Sequence, residues 1–132
     1  ASKITVTGHS LGGGMATVAA CLLDKVNAVY TYGSPRALTM FKTYKKSVPL
    51  IRVVNNNDVV PTVPFKLLMF KHVGELHYMN HWGQVRKLTL WQKIKDKWRG
   101  RVRAFKKGQP FDGLYDHSIK EYVKYLEQGN TQ

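Results

Sequence analysis

The sequence predicts an α/β fold in which helices flank a mostly parallel sheet. Short β-branched and apolar runs, typical of buried strands, occur at residues 3–7, 26–32 and 50–54. Small apolar residues at helical spacing fill residues 11–23, and residues 38–46 are predicted to form a short helix. The resulting alternation of strands and helices is typical of a parallel sheet, in which functional residues lie beyond the C-terminal ends of the strands.

The C-terminal part of the sequence continues this pattern. Residues 70–79 alternate sufficiently to predict a fourth strand. Residues 118–126 predict a final amphipathic helix, with its apolar positions at Ile119, Tyr122, Val123 and Leu126.

Composition limits the possible classes of protein. With 132 residues, 43% of them hydrophobic, the chain is long enough for one core, so we predict a single partial domain over residues 1–132. No apolar run approaches the roughly 18–20 residues of a membrane span. Cys21 is the single cysteine, which excludes an intramolecular disulfide, and no His/Cys spacing predicts a metal site. The compartment, cytoplasmic or secreted, is left open.

A Gly-x-Ser-x-Gly turn predicts a nucleophile at Ser10. The motif follows the first strand and opens the first helix, and we expect Gly8 and Gly12 to relieve clashes around the strained turn. The backbone N–H of Leu11, at the helix start, could then donate to an oxyanion. His9 is predicted to have a structural role, because its side chain must point away from that of Ser10. A chance turn or a phosphate-binding loop is the alternative.

Four sequence segments resemble the class 3 lipases, a family with the α/β-hydrolase fold. Residues 4–13 (ITVTGHSLGG) resemble the family's nucleophile segment, and residues 32–36 (YGSPR) resemble the segment that follows it. Residues 52–61 (RVVNNNDVVP) resemble its acid loop, and residues 72–75 (HVGE) also recur in it. The resemblance implies a serine esterase or lipase, of which this chain would be the C-terminal portion.

Asp58 is the predicted acid of a catalytic triad. A serine hydroxyl needs a histidine to take its proton and a carboxylate to orient that histidine, and in this fold the chain order is serine, acid, histidine. Asp58 follows the strand at residues 50–54, and the family's acid loop has its aspartate there. The alternative is that residues 55–58 are only a polar turn.

His117 is the predicted base. It stands directly before the last helix, where similar lipases carry an Asp-His pattern, although it could instead be an ordinary residue of the helix N-terminus. The other candidates are His72, His77 and His81.

The resemblance also implies features that this sequence lacks. Similar lipases take a second oxyanion donor, and a helical lid, from the region upstream of the nucleophile. We therefore expect these 132 residues alone to be weakly active or inactive.

A basic segment at residues 84–107 departs from the family pattern. The chain has a net charge of +13, and this segment alone has ten basic residues and one acid, Asp96. Its apolar residues, including Trp91, Trp98 and Phe105, fall on one helical stripe. We expect either an interfacial helix on an anionic membrane or a solvated helix whose stripe packs on the domain.

Together these features predict a serine carboxylic-ester hydrolase, with triacylglycerol as the leading substrate. A phospholipase A1 or a feruloyl-type esterase is the alternative within this chemistry. A non-catalytic basic module that binds membranes is the alternative from another class. No metal or organic cofactor is implied. No nucleic-acid partner is expected, because the basic segment lacks base-recognition motifs.

Overall fold

The computed structural model describes residues 3–45, 47–55, 58–64, 68–79, 85–86 and 117–129. The elements within them are β1 (Ile4–His9), α1 (Leu11–Leu22), β2 (Val26–Tyr32), β3 (Leu38–Thr39), β4 (Leu50–Asn55), a 3-10 helix (Val60–Thr62), β5 (Phe70–Lys71), β6 (Glu75–Met79), β7 (Val85–Arg86) and α2 (Ile119–Gly129).

The main sheet is mostly parallel, as predicted. Its strand order is β1-β2-β4-β6-β7, and β2 pairs in parallel with both β1 and β4. β7 is antiparallel to β6, and β3 and β5 form a separate antiparallel pair. In a parallel sheet the C-terminal ends of neighbouring strands lie at one edge, and β1 and β2 therefore end side by side, with His9 opposite Tyr32.

Small residues let α1 lie close to the sheet. The buried residues of this helix are Gly13, Gly14, Ala16, Thr17 and Ala20. Two of them join a core of buried residues that comprises Ala16, Ala20, Val26, Val29, Val48 and Leu50. A Cβ atom at Gly13 would lie 2.7 Å from the Cβ of Ser34, so this approach of the helix to the turn after β2 requires glycine.

Two predicted elements are wrong. Residues 38–46 were expected to form a helix, but Leu38 and Thr39 pair with Lys71 and Phe70, and residues 40–45 are not helical. Long-range strand pairing here overrides local helix preference. Residues 70–79 were expected to form one strand, but they form β5 and β6, because the chain turns at Gly74 with φ 86°.

Gly74, the residue before β6, lies close to the backbone of β4. A Cβ atom there would lie 2.4 Å from the carbonyl oxygen of Leu50. Both the positive φ and this close approach require glycine.

The chain divides into two compact units. The first comprises Ala1–Val53 and Val60–Leu76, and the second comprises Val54–Val59 and His77–Gln132. β4 and β6 each contribute residues to both units. The single domain predicted over residues 1–132 stays a prediction. In the part of the chain that the structure describes, neither helix has the length and apolar character needed to cross a bilayer.

Candidate active site

Ser10 lies in a strained turn between β1 and α1. Its φ of 57° and ψ of −128° fall in a region that residues other than glycine rarely adopt. Its N–H donates to the carbonyl of Tyr32 at 2.9 Å, and its own carbonyl accepts from the N–H groups of Gly13 and Gly14 at 3.0 and 3.3 Å. Hydrogen bonds to both the N–H and the carbonyl of Ser10 therefore stabilise its strained backbone conformation, as a strand–serine–helix nucleophile turn requires.

The glycines around Ser10 differ in what they allow. A Cβ atom at Gly8 would lie 2.2 Å from the carbonyl oxygen of Gly12, so Gly8 is required, as predicted. At Gly12 the expected clash is not seen: apart from its chain neighbours and the backbone of its own helix, no atom of the described residues lies within 4 Å of a Cβ built there. Gly8 approaches the carbonyl group of Gly12, whereas the position that a Gly12 side chain would occupy is open.

The N-terminus of α1 offers a hydrogen-bond donor beside Ser10. Leu11 is the first residue of the helix, and the first turn of a helix has no intrahelical acceptors for its N–H groups. The positive end of the helix dipole favours negative charge at the same point. This arrangement suits the donor role predicted for Leu11, while His9, the last residue of β1, is half-buried.

Asp58 and His117 are hydrogen-bonded, although 59 residues separate them in the sequence. The Nδ1 atom of His117 lies 3.0 Å from each carboxylate oxygen of Asp58. The Asp58 side chain is fully buried, and that of His117 is 17% exposed. Because a carboxylate can only accept, Nδ1 carries the proton, and a neutral imidazole then has its lone pair at Nε2. This is the tautomer that a general base needs.

Tyr122 is a third member of this cluster that sequence reasoning missed. Its hydroxyl donates to Oδ2 of Asp58 at 2.6 Å and accepts from the backbone N–H of Asn55 at 3.0 Å. The apolar periodicity of α2 predicted Tyr122 only as a core residue. The available signal was chemical, because a buried tyrosine usually finds a partner for its hydroxyl.

The remaining candidates named from the sequence are the other candidate histidines and the aromatic residues of the basic segment. Nε2 of His72 lies 2.7 Å from the carbonyl oxygen of Pro61, and His77 lies in β6. His81 lies outside the described residues, as do Trp91, Trp98, Phe105 and all of the 84–107 segment except strand β7. Ser10 belongs to the first compact unit, and Asp58 and His117 belong to the second.

Two arginines of the first unit, Arg36 and Arg52, lie close enough for their charges to interact. Nη1 of Arg36 donates to the carbonyls of Thr62 and Pro64, the latter at 2.8 Å, and its backbone N–H donates to Val63 at 2.8 Å. Burial, and then the nearby charge of Arg36, lowers the pKa of Arg52 to about 10. In the described parts of the chain, no group of three His, Cys, Asp or Glu side chains could hold a metal ion.

Known proteins match this chain in sequence and in structure. The sequence model of the family "Lipase (class 3)" matches residues 1–68. The chain is 38% identical over 95 residues to triacylglycerol lipase OBL1 of Ricinus communis, covering 58% of this chain and 18% of the relative. It is 38% identical over 85 residues to secreted mono- and diacylglycerol lipase 1 of Fusarium solani, covering 59% of this chain and 25% of the relative.

A solved structure matches in fold. The crystal structure of a lipase from Rhizopus microsporus var. chinensis superposes with a TM-score of 0.53 and 32% sequence identity, covering 58% of this chain and 31% of that chain. The chain thus spans only 18% to 25% of the length of the two curated relatives. The family match nevertheless covers more than half of this chain and includes both Ser10 and Asp58. The chain therefore belongs to the class 3 lipase family and has the α/β-hydrolase fold.

Proposed function

We propose that the protein hydrolyses carboxylic esters through an acyl-enzyme on Ser10, with His117 as base and Asp58 as the acid that orients it. The observation that carries this proposal is the pair of 3.0 Å hydrogen bonds between Nδ1 of His117 and the buried carboxylate of Asp58. The strained conformation of Ser10 supports it independently, because such strain in this fold exposes a nucleophilic hydroxyl.

The first half of the reaction transfers the acyl group to the enzyme. The hydroxyl oxygen of Ser10 attacks the ester carbonyl carbon while its proton passes to Nε2 of His117. The carbonyl oxygen becomes an oxyanion, to which the N–H of Leu11 donates. The intermediate then collapses, the bond to the alcohol oxygen breaks, and the proton on Nε2 leaves with the alcohol.

The second half returns the enzyme to its starting state. Water attacks the acyl-enzyme, and Nε2 of His117 takes one of its protons. Collapse of the second tetrahedral intermediate releases the carboxylic acid and returns the proton to the Ser10 oxygen. Throughout, the carboxylate of Asp58 stabilises the positive charge that forms on the imidazole.

Acylglycerols are the proposed substrates. The two relatives described above are named a triacylglycerol lipase and a mono- and diacylglycerol lipase, which supports this class of substrate. Phospholipids and feruloyl esters are the competing substrates. Hydrolysis rates of the full-length protein on a triacylglycerol, a diacylglycerol, a phosphatidylcholine and a feruloyl ester decide between them, and we expect the acylglycerols to be preferred.

The nucleophile is tested by labelling with a fluorophosphonate probe. We expect the full-length protein to be labelled, and labelling to fall by more than about 10⁴-fold in Ser10→Ala and strongly in His117→Ala. Ser34→Ala is the matched control, because Ser34 is a buried serine of the same unit whose hydroxyl lies 3.0 Å from the carbonyl of Pro35. No labelling of folded, full-length wild type would contradict the proposal.

We also propose that the basic segment at residues 84–107 brings the enzyme to anionic lipid surfaces. The support is chemical: ten basic residues lie among Trp91, Trp98 and Phe105. An enzyme that acts on water-insoluble esters gains substrate concentration at such a surface.

A further inference from the structure

The hydroxyl of Tyr122 joins two parts of the acid–base cluster. It donates to Oδ2 of Asp58 at 2.6 Å, which is short for an O–H···O bond and typical of a charged acceptor. It accepts from the N–H of Asn55, the last residue of β4, at 3.0 Å. Tyr122 is fully buried, as is the side chain of Asp58, so solvent does not compete strongly for either bond.

Two donors therefore share one carboxylate. Oδ2 of Asp58 accepts from the Tyr122 hydroxyl, and both of its oxygens lie 3.0 Å from Nδ1 of His117. The two donors share the negative charge of the Asp58 carboxylate. A stronger bond to the tyrosine hydroxyl therefore weakens the bond to the imidazole, and a weaker one strengthens it. The tyrosine bond also fixes the plane of the carboxylate against the backbone of β4.

We infer that Tyr122 is a positioning residue, which holds the Asp58 carboxylate in the orientation that presents it to His117. This inference rests on the proposed function, because it gives Tyr122 a part in the same reaction. Tyr122 touches no reacting atom, so its effect on turnover is exerted through Asp58. Loss of the hydroxyl removes one of the bonds that orient the carboxylate, so its alignment with the imidazole is set less exactly.

The test compares Tyr122→Phe with Tyr125→Phe in the full-length protein. Both changes remove one hydroxyl from α2, and Tyr125 is half-buried on the same helix. For Tyr122→Phe we expect kcat to fall about tenfold, as for the loss of other hydrogen bonds that orient an active-site group. We expect KM to stay within about twofold, because the bond does not contact substrate. Tyr125→Phe should match wild type in both.

A second measurement responds to positioning but not to simple packing. We expect the low-field proton resonance of His117 Nδ1 to move to lower field in Tyr122→Phe, because the carboxylate then has one donor fewer. Incorporation of 3-fluorotyrosine at position 122 keeps the shape but strengthens the donor, and should move the resonance the opposite way. This variant also decides the question if Tyr122→Phe does not fold.

The outcomes separate this inference from the proposed function. If Ser10→Ala and Asp58→Asn abolish turnover while Tyr122→Phe keeps wild-type kcat, the positioning role alone is overturned. An unchanged Nδ1 resonance in both position-122 variants overturns it as well. If Ser10→Ala or Asp58→Asn retains full activity, the proposed function itself fails.

Discussion

The turn around Ser10 and the cluster around Asp58 are built from different parts of the polypeptide. At Ser10 the backbone supplies the geometry. Ser10 has a φ of 57°, its peptide groups bond to those of Gly13, Gly14 and Tyr32, and Gly8 lies against the carbonyl of Gly12. At Asp58 the side chains supply it, through bonds that join residues 59 and 64 positions apart. The first arrangement therefore depends mainly on residues 8–14 and on one bond to β2, and the second on side chains from distant elements.

The largest effect is expected from a change in the side-chain cluster. In Asp58→Asn, the amide can present its NH₂ group to His117 and favour the wrong imidazole tautomer. We expect kcat to fall by about 10³- to 10⁴-fold, the scale of this change in enzymes with a Ser-His-Asp triad. The protein should stay folded, because the amide oxygen still accepts from Tyr122.

Steady-state kinetics and the rate of fluorophosphonate inactivation measure this effect together. The control is Asp24→Asn, since Asp24 is an exposed acid whose pKa is lowered by its hydrogen bond to Lys45. A decrease of less than about tenfold in Asp58→Asn would place the triad acid elsewhere.

An intermediate effect is expected at the backbone-built turn. In Gly8→Ala the new methyl group would lie 2.2 Å from the Gly12 carbonyl oxygen, so the turn must open. We expect a loss of about 3 kcal/mol in the free energy of unfolding, together with slower labelling of Ser10.

Gly14→Ala is its matched control in the same region. A Cβ atom at Gly14 meets Ala37 and Pro35 at an ordinary 3.6 Å, and alanine is the better helix former by up to about 1 kcal/mol. Urea unfolding of both variants measures the contrast. Equal stability of the two would show that close backbone approach does not define the turn.

The smallest effect on turnover is expected from the basic segment, which belongs to neither region. Replacing Lys93, Lys95 and Lys97 with Glu should weaken binding to phosphatidylserine vesicles at least about tenfold. Hydrolysis of a water-soluble ester should change less than about twofold, because no triad residue is touched. The control reverses three exposed lysines elsewhere, Lys3, Lys25 and Lys42. Unchanged vesicle binding in the first variant would contradict the membrane proposal.

The same contrast explains how far the sequence predicted the structure. The three parallel strands and α1 were correctly predicted, because their periodicity is local. The strand at Leu38 was missed, since its partner Lys71 lies far along the chain and residues 38–46 alone resemble a helix. The pairing of Asp58 with His117 was predicted from the chain order of a known mechanism together with the resemblance to the class 3 lipases. Tyr122 was missed because no local pattern distinguishes a core tyrosine from one that donates to a carboxylate.

Arg36 has a consequence for how the segment after Asp58 can vary among natural or engineered sequences. One arginine holds three consecutive carbonyls, those of Thr62, Val63 and Pro64. Every residue type carries a carbonyl, so side chains here can be exchanged with little loss of this anchoring. Their number cannot be changed so freely, because inserting or deleting one residue would shift all three acceptors out of register. Length variation should therefore accumulate at exposed turns such as 41–43 and avoid this segment.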